Sequence, residues 1–146
     1  MSIEWCVGID WGPGVHTVCV LEASGRLAEQ RQVAHDAVAL QAFVEALLLR
    51  SDGRPSMVAI GIERPHGALV ELLLERGFQV YAINPKQLDR FRDRFTVAGA
   101  KDDRRDAQVL ADSLRTDRAA FRRVHLDDPV VIQLREWSRV DEELQT

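Results

Sequence analysis

Two apolar runs of this chain end in the same way, with a glycine, an isoleucine and an acidic residue. Gly8-Ile9-Asp10 closes the first run, and Gly61-Ile62-Glu63 closes the second. Both runs are rich in strand-forming residues, and the second is almost wholly apolar, which is typical of a buried parallel strand. Ligand sites of α/β sheets lie at the carboxyl ends of their strands. The sequence therefore predicts two acids at such a position, Asp10 and Glu63.

Parallel neighbouring strands would bring these two carboxylates close together. Because like charges repel, one of the acids would then have to take up a proton or bind a cation. A hard divalent ion with oxygen ligands satisfies this requirement. The glycine two residues before each acid, Gly8 or Gly61, points to the same face of the sheet, and we expect it to leave that face uncluttered.

A second pair of acids lies in the stretch Lys101-Asp102-Asp103-Arg104-Arg105-Asp106-Ala107. Asp103 and Asp106 are three residues apart, so on a helix they share one face, whereas Asp102 points elsewhere or caps the helix. Two strand ends and one helix face would thus supply four carboxylates. Such a set meets the needs of a two-metal phosphodiester site, where one ion activates the attacking oxygen and the other stabilises the leaving oxygen.

The order of the predicted elements indicates the fold class. Strands are predicted over residues 4–11, 15–22 and 26–33 as an antiparallel meander, followed by strands at 57–63 and 78–83. Helices are predicted over 37–49, 67–76, 86–95 and 103–115, with a last helix from 127. We expect Asp36 to cap the first helix, Gly77 to end the second, and an apolar stripe on the first at Val38, Leu40, Phe43, Leu47 and Leu48.

This arrangement predicts an α/β, RNase H-like (RuvC-like) domain with a mixed five-stranded sheet and flanking helices. The actin and sugar-kinase group shares much of the topology, so topology alone does not choose between them. An actin-like kinase would use residues 10–14 as a phosphate loop, but it also needs further glycine-rich phosphate loops, and the sequence contains none.

Composition is typical of one globular domain of 146 residues, with 46% hydrophobic residues. The formal charge of -4 argues mildly against a nucleic-acid partner, but the segment from Lys86 to Arg105 holds seven basic residues against four acidic ones. Cys6 and Cys19 lie in apolar runs and are predicted to be buried thiols. The sequence shows neither a membrane span nor a signal peptide, so we expect a cytoplasmic protein.

The chain resembles the DEDD-type insertion-sequence transposases of the IS110 group and the related Piv-type DNA invertases over nearly its whole length. The motifs that carry the resemblance are Gly8-Ile9-Asp10-Trp11-Gly12, Ile62-Glu63-Arg64-Pro65-His66-Gly67, Ile83-Asn84-Pro85, and Lys101 to Ala107 leading into Leu110-Ala111. The family pattern Lys-x-Asp-x-x-Asp-Ala selects Asp103 over Asp102. His66-Gly67 stands where the family often has Thr-Gly, which leaves the role of His66 open.

The resemblance implies a catalytic tetrad of Asp10, Glu63, Asp103 and Asp106 that holds two Mg²⁺ or Mn²⁺ ions. It implies a RuvC-like catalytic domain over residues 1–125. Residues 126–146 would then open a helical, coiled-coil-like segment that leads to a serine-bearing second domain absent from this chain. The implied function is metal-dependent cleavage and transfer of DNA strands, guided by a structured RNA, although this fragment alone should not complete recombination.

Basic residues near the second acid pair are candidate phosphate contacts. They are Lys101, Arg104, Arg105 and Arg94. The alternative for this arginine-rich segment is a solvated helix face that is paired with Asp89 and Asp93. The apolar stripe of the last helix predicts a homo-oligomer, a dimer or a tetramer, or an interdomain contact.

Other interpretations remain open at this point. The chain could be a Holliday-junction-type nuclease that needs no second domain, or a nucleic-acid-binding scaffold in which the acids are only structural. His16, His35 and His125 are expected at the surface or in turns, and no histidine pair has the spacing of a zinc site. Trp11 is expected in the core or at an interface, although its position beside Asp10 also suits a base-stacking platform.

Overall fold

The computed structural model describes residues 3–12, 14–63, 67–92 and 103–125. Its centre is a six-stranded mixed sheet of order β3-β2-β1-β4-β5-β6. The strands are β1 (Trp5–Asp10), β2 (Val15–Glu22), β3 (Leu27–Ala34), β4 (Val58–Ile62), β5 (Gln79–Ala82) and β6 (Arg122–Val124). The helices are α1 (Ala37–Arg50), α2 (Gly67–Glu75), α3 (Pro85–Arg92) and α4 (Asp103–Asp117).

The strand directions confirm the predicted meander and crossovers. β1 pairs antiparallel with β2, and β2 with β3, while β4 lies parallel to both β1 and β5. The sixth strand, β6, was not predicted and pairs antiparallel with β5, so the expected count of five strands was wrong. Its three residues, Arg122 to Val124, are too few and too polar to show a strand pattern, because the tertiary pairing creates the strand.

Side chains alternate between the two faces of the sheet, and helices cover both faces. On β1, Val7 and Ile9 belong to a core shared with α1 and α2. Cys6 on the same strand instead packs with Val109 and Leu110 of α4. The result is a three-layer arrangement in which one face of β1 and β4 is reserved for α4.

Helix α1 begins as predicted at an Asp36 cap, whose Oδ1 accepts a hydrogen bond of 2.7 Å from the Ala39 amide. Its buried residues are Leu40, Phe43, Val44 and Leu47. The expectation for Val38 was wrong, since its side chain is 82% exposed. Val38 lies in the first turn, outside the stripe that meets the sheet, and Val44 completes that stripe instead.

The predicted end of α2 at Gly77 is confirmed, and α3 has a cap that was not predicted. Gly77 follows α2 with φ +92, and the amides of Gly77 and Phe78 donate to the carbonyls of Leu74 and Leu73, which satisfies the last turn of the helix. Asn84 caps α3, because its side-chain oxygen accepts a hydrogen bond of 2.9 Å from the Gln87 amide. Pro85 then occupies the first helical position, where its missing N–H costs nothing.

The cysteines are buried and free, as predicted. Burial raises the pKa of each thiol, Cys6 and Cys19, to about 11, so both are neutral in the folded protein near neutral pH. Within the described ranges, no helix combines the length and the apolar character that crossing a membrane requires.

Candidate active site

The register of the central strands places the two strand acids at one level of the sheet. β1 and β4 pair in parallel from Trp5 opposite Val58 up to Ile9 opposite Ile62. Asp10 and Glu63 are the residues that directly follow this last pair, and both are partly buried. The prediction that the two strands are parallel neighbours is therefore confirmed, and both acids lie at the same sheet edge.

The glycines that precede these acids are contact points for helix α4. A Cβ added to Gly8 would stand 2.0 Å from the Ala107 carbonyl oxygen and 2.7 Å from the Ala111 amide nitrogen. A Cβ on Gly61 would stand 2.9 Å from Cδ1 of Leu114. The expected uncluttered face was therefore wrong for these two positions, because glycine is present to let the helix approach the strands.

Helix α4 runs antiparallel to β1. Ala107 and Ala111 lie over Gly8, whereas the Arg115 guanidinium lies against Gly25, in the turn after β2. That turn is near the amino end of β1, since Trp5 pairs with Glu22. The first turn of α4 therefore lies toward the carboxyl edge, the edge of Asp10 and Glu63.

The second acid pair belongs to this first turn. Asp103 begins α4, and Asp106, which is partly buried, precedes Ala107 by one residue. Asp106 is also four residues before Leu110, so the two residues share the face that packs on the sheet. The fold thus brings the chain positions of all four predicted acids to one edge, although the Asp103 side chain lies outside the described part of the structure.

Carboxylate oxygens are suitable ligands for Mg²⁺ or Mn²⁺, so the chemistry of the donor set fits the predicted cofactor. Among the described residues, however, no three histidine, cysteine or acidic side chains are grouped closely enough to hold a metal ion. The register of β1 with β4 and the contact of α4 with Gly8 therefore explain why the predicted acids have their chain positions at one edge of the sheet. The closing of four carboxylates around paired ions stays a prediction.

A cleft beside Glu63 adds a cationic residue that the sequence analysis did not assign to the site. The cleft has a volume of about 300 Å³ and is lined by Glu63, Ala82, Asn84, Gln87, Ala120 and Arg122. Arg122 reaches this place because the new strand β6 pairs Arg122 with Ala82, at the carboxyl end of β5. The sequence shows only two adjacent arginines here, Arg122 and Arg123, which do not reveal the pairing.

Comparison with known proteins identifies the family. The sequence model of the DEDD-type IS110 family, described as transposase, matches residues 7–146. The chain belongs to this transposase family. It is 51% identical over 139 residues to y4uE of Sinorhizobium fredii, which is named a transposase, and 34% identical over 126 residues to the Streptomyces coelicolor mini-circle protein named a transposase for IS117. These matches cover 94% and 86% of this chain but only 38% and 30% of the two relatives.

The fold of this chain is RuvC-like. It aligns with T. thermophilus RuvC, solved in complex with a Holliday junction substrate, at a TM-score of 0.58 and 17% identity. The alignment covers 83% of this chain and 99% of the RuvC chain. The predicted fold class is thereby confirmed, with six strands in place of five.

A buried histidine supports the turn that follows Asp10. His16 is only 2% exposed, so its expected surface position was wrong, whereas His35 is exposed as predicted. His16 Nδ1 accepts a hydrogen bond of 3.2 Å from the Gly12 amide, and its Nε2 lies 2.8 Å from Nδ1 of His35. The Trp11 ring meets His16 edge-on with 4.0 Å between ring centroids. His16 therefore holds both residues that immediately follow Asp10.

Several predicted positions lie outside the described residues. These are Lys101, Asp102, Arg94, His66 and the whole of residues 126–146, together with the side chains of Arg104 and Arg105. The predicted domain division at residue 125 and the predicted helical segment beyond it consequently stay predictions.

Proposed function

We propose that this chain is the RuvC-like catalytic domain of a DNA transposase, which cleaves and transfers DNA strands by metal-dependent phosphodiester chemistry. The observation that carries the proposal is that the chain positions of the predicted acids lie at one edge of the sheet. The matched register of β1 and β4 puts Asp10 and Glu63 side by side in the sheet, and the Gly8 contact directs the first turn of α4 to them. Membership of the transposase family and the RuvC-like fold support the same function.

In this proposal Asp10, Glu63, Asp103 and Asp106 hold two Mg²⁺ or Mn²⁺ ions. The bound ions supply activation of the attacking oxygen and stabilisation of the leaving oxygen. The protein's own part is to fix the ligand positions. β1 and β4 are buried central strands, and α4 is locked to them at Gly8 and Gly61, so the ligands project from rigid elements.

Cations near the acids would bind the DNA backbone. We assign this role to Lys101, Arg94, Arg104 and Arg105, as their neighbourhood in the sequence predicts, and we add Arg122 because it shares a cleft with Glu63. Arginine donors suit phosphate oxygens by charge and by geometry. The net charge of -4 does not oppose this function, because the metal ions and a local cluster of cations offset the acids where the DNA would bind.

The remaining partners follow from the family resemblance. We propose that a guide RNA directs the enzyme to its DNA, and that residues 126–146 begin a helical segment that joins copies of the chain and leads to a serine-bearing domain. The two transposase relatives are much longer than this chain, which is compatible with such a domain. Full strand exchange would then require the complete enzyme.

Calorimetric titration with Mn²⁺ tests the metal site. We expect the unsubstituted chain to bind the ion, and Asp10→Asn and Asp103→Asn to lose most of that binding because each removes a charged ligand. Asp52→Asn is the matched control, since Asp52 is exposed in the loop after α1 and its φ of 55 suits asparagine equally well. Absence of Mn²⁺ binding in the unsubstituted chain would overturn the metal-dependent mechanism.

Nicking of a supercoiled plasmid tests the chemistry separately. We expect nicks with Mn²⁺ present, no nicks with EDTA, and no nicks from Asp10→Asn under either condition. Metal binding without any nicking would instead leave the chain as a nucleic-acid scaffold, and the catalytic proposal would be wrong.

A further inference from the structure

A row of uncharged polar side chains extends sideways from Asp10 across the sheet. Asp10 pairs with Thr17 of β2, and Thr17 pairs with Gln32 of β3. Because directly paired residues point to the same face, all three side chains share the face that α4 covers further along the strands. Two strand spacings separate Asp10 from Gln32, a distance on the order of 10 Å.

The next set of paired residues along the strands, Gly8, Cys19 and Gln30, confirms this orientation. Cys19 pairs with both Gly8 and Gln30, packs against Ala107 of α4, and is fully buried. The Gln30 side chain forms a hydrogen bond with the Cys19 sulfur, so it lies on the same face. We call Thr17, Gln30 and Gln32 the polar row. Together with Arg31 it lines a cleft of about 460 Å³.

The chemistry of the polar row selects the kind of ligand. Thr17 offers a hydroxyl and is 6% exposed, while Gln30 and Gln32 are exposed and offer amide donors. The charged side chain among the described residues that line the cleft, Arg31, points to the other face, where its guanidinium lies 5.8 Å from the Phe43 ring and 3.5 Å from Glu29. The hydroxyl and amide donors of these side chains suit phosphate and sugar oxygens.

We propose that Thr17, Gln30 and Gln32 bind the DNA strand on one side of the scissile phosphate through uncharged hydrogen bonds. The proposal rests on the proposed function, because the polar row would bind DNA beside the scissile phosphate only if the neighbouring Asp10 belongs to the active site. Arg122 and the Glu63 cleft lie on the other side of Asp10, toward β5 and β6. The DNA would therefore cross the carboxyl edge of the sheet, held by neutral donors toward β3 and by cations toward β6.

Charge substitution in the row provides the sharpest test. We would measure binding of a fluorescein-labelled DNA duplex with a single-stranded tail by fluorescence anisotropy, in Ca²⁺ to prevent cleavage. Gln32→Glu keeps the side-chain size but places a negative charge beside the DNA. Gln41→Glu makes the same change in net charge on α1, at an exposed position on the opposite side of the sheet. We expect Gln32→Glu to weaken binding at least 10-fold, roughly the loss of a hydrogen bond to a charged group, and Gln41→Glu to leave it nearly unchanged.

Neutral substitutions distinguish the row from a general electrostatic effect. Thr17→Val and Gln32→Ala each remove one uncharged donor, and we expect each to weaken binding roughly 2- to 10-fold, the effect of one ordinary hydrogen bond. The slope of log affinity against log salt should stay the same, since no cation is removed and no counterion release is lost. Equal affinities for Gln32→Glu and Gln41→Glu, or no loss in Thr17→Val and Gln32→Ala, would overturn the proposal.

The same proteins separate this proposal from the metal site. Mn²⁺ titration of Gln32→Glu and Gln32→Ala should match the unsubstituted chain, because Gln32 is not among the proposed ligands. If the unsubstituted chain binds DNA through the row but binds no Mn²⁺, the metal proposal fails alone. If it binds Mn²⁺ and nicks plasmid while the row variants keep full DNA affinity, the polar-row proposal fails alone.

Discussion

The main chain of Ala107 lies directly over Gly8, so closely that a Cβ on Gly8 would stand 2.0 Å from the Ala107 carbonyl oxygen. This contact fixes the height of α4 above β1 and hence the position of Asp106 relative to Asp10. We predict that Gly8→Ala destabilises the protein by about 1–3 kcal/mol, the typical cost of overpacking a rigid contact. Urea unfolding followed by circular dichroism measures this change.

Two other glycines calibrate that prediction. At Gly61 the nearest atom is Cδ1 of Leu114, at 2.9 Å, the end of a side chain that can shift, so Gly61→Ala should cost less than Gly8→Ala. At Gly14 an added Cβ meets nothing within 4 Å, and Gly14→Ala should be close to neutral. Similar urea midpoints for the three variants would show that the close approach of α4 has no energetic importance.

The strand acids and the fold class could be predicted because they depend on local patterns. Asp10 and Glu63 each end an apolar run that is predicted to be a strand. Because the carboxyl ends of neighbouring parallel strands lie at the same edge of a sheet, this local pattern is enough to place both acids there. The role of Gly8 was only half predicted. Its face was correct, but the helix that packs against it lies about a hundred residues further along the chain, and no local pattern shows that contact.

The parts that sequence analysis missed all depend on distant partners. Arg122 became a candidate site residue only through the pairing of β6 with β5, and three residues cannot carry a strand signal. His16 is a polar residue close to the turn at the start of β2, where exposure is the ordinary expectation, but Trp11 and His35 contact its ring and it is buried. Burial of a polar side chain through its partners is visible only in three dimensions.

The buried His16 gives a second stability prediction. His16→Phe keeps an aromatic ring against Trp11 but removes the acceptor for the Gly12 amide and the contact with His35. We expect a loss of about 1–3 kcal/mol, because the partly buried Gly12 amide loses its acceptor. The affinity for Mn²⁺ should also fall, since the turn held by His16 directly follows Asp10.

His125→Phe is the matched control for this substitution, because His125 is exposed at the end of β6. It should change neither the urea midpoint nor the Mn²⁺ affinity. A His16→Phe protein with unchanged stability would mean that the histidine pair does not support the turn. A protein that loses stability but keeps its Mn²⁺ affinity would mean that His16 contributes to folding and not to the metal site.

The buried thiols predict how stability depends on pH. Burial raises the pKa of Cys6 and Cys19 from an ordinary value of 9.0 to about 11. As pH rises above 9, thiols of the unfolded chain lose protons while those of the folded chain keep them, so the unfolded state is favoured. Stability should therefore be complete below the unfolded pKa and fall as pH rises toward 11.

Urea midpoints at about pH 8 and about pH 10 measure this effect, since the two values bracket the ionisation of an ordinary thiol. The double variant Cys6→Ala, Cys19→Ala should lose less stability between the two pH values than the unsubstituted chain. Other groups titrate equally in both proteins, so the difference isolates the thiols. The same loss in both proteins would contradict the prediction.

Arg122 gives a prediction about the salt dependence of DNA binding. If its guanidinium contacts a phosphate beside Glu63, Arg122→Gln should weaken DNA binding and reduce the slope of log affinity against log salt by about 1. Arg26→Gln is the charge-matched control, because Arg26 is exposed in the turn between β2 and β3, at the opposite edge of the sheet. Fluorescence anisotropy at several salt concentrations measures both slopes. If Arg26→Gln lowers the slope as much as Arg122→Gln does, the effect of Arg122 is one of net charge, and the cleft beside Glu63 does not bind the DNA backbone.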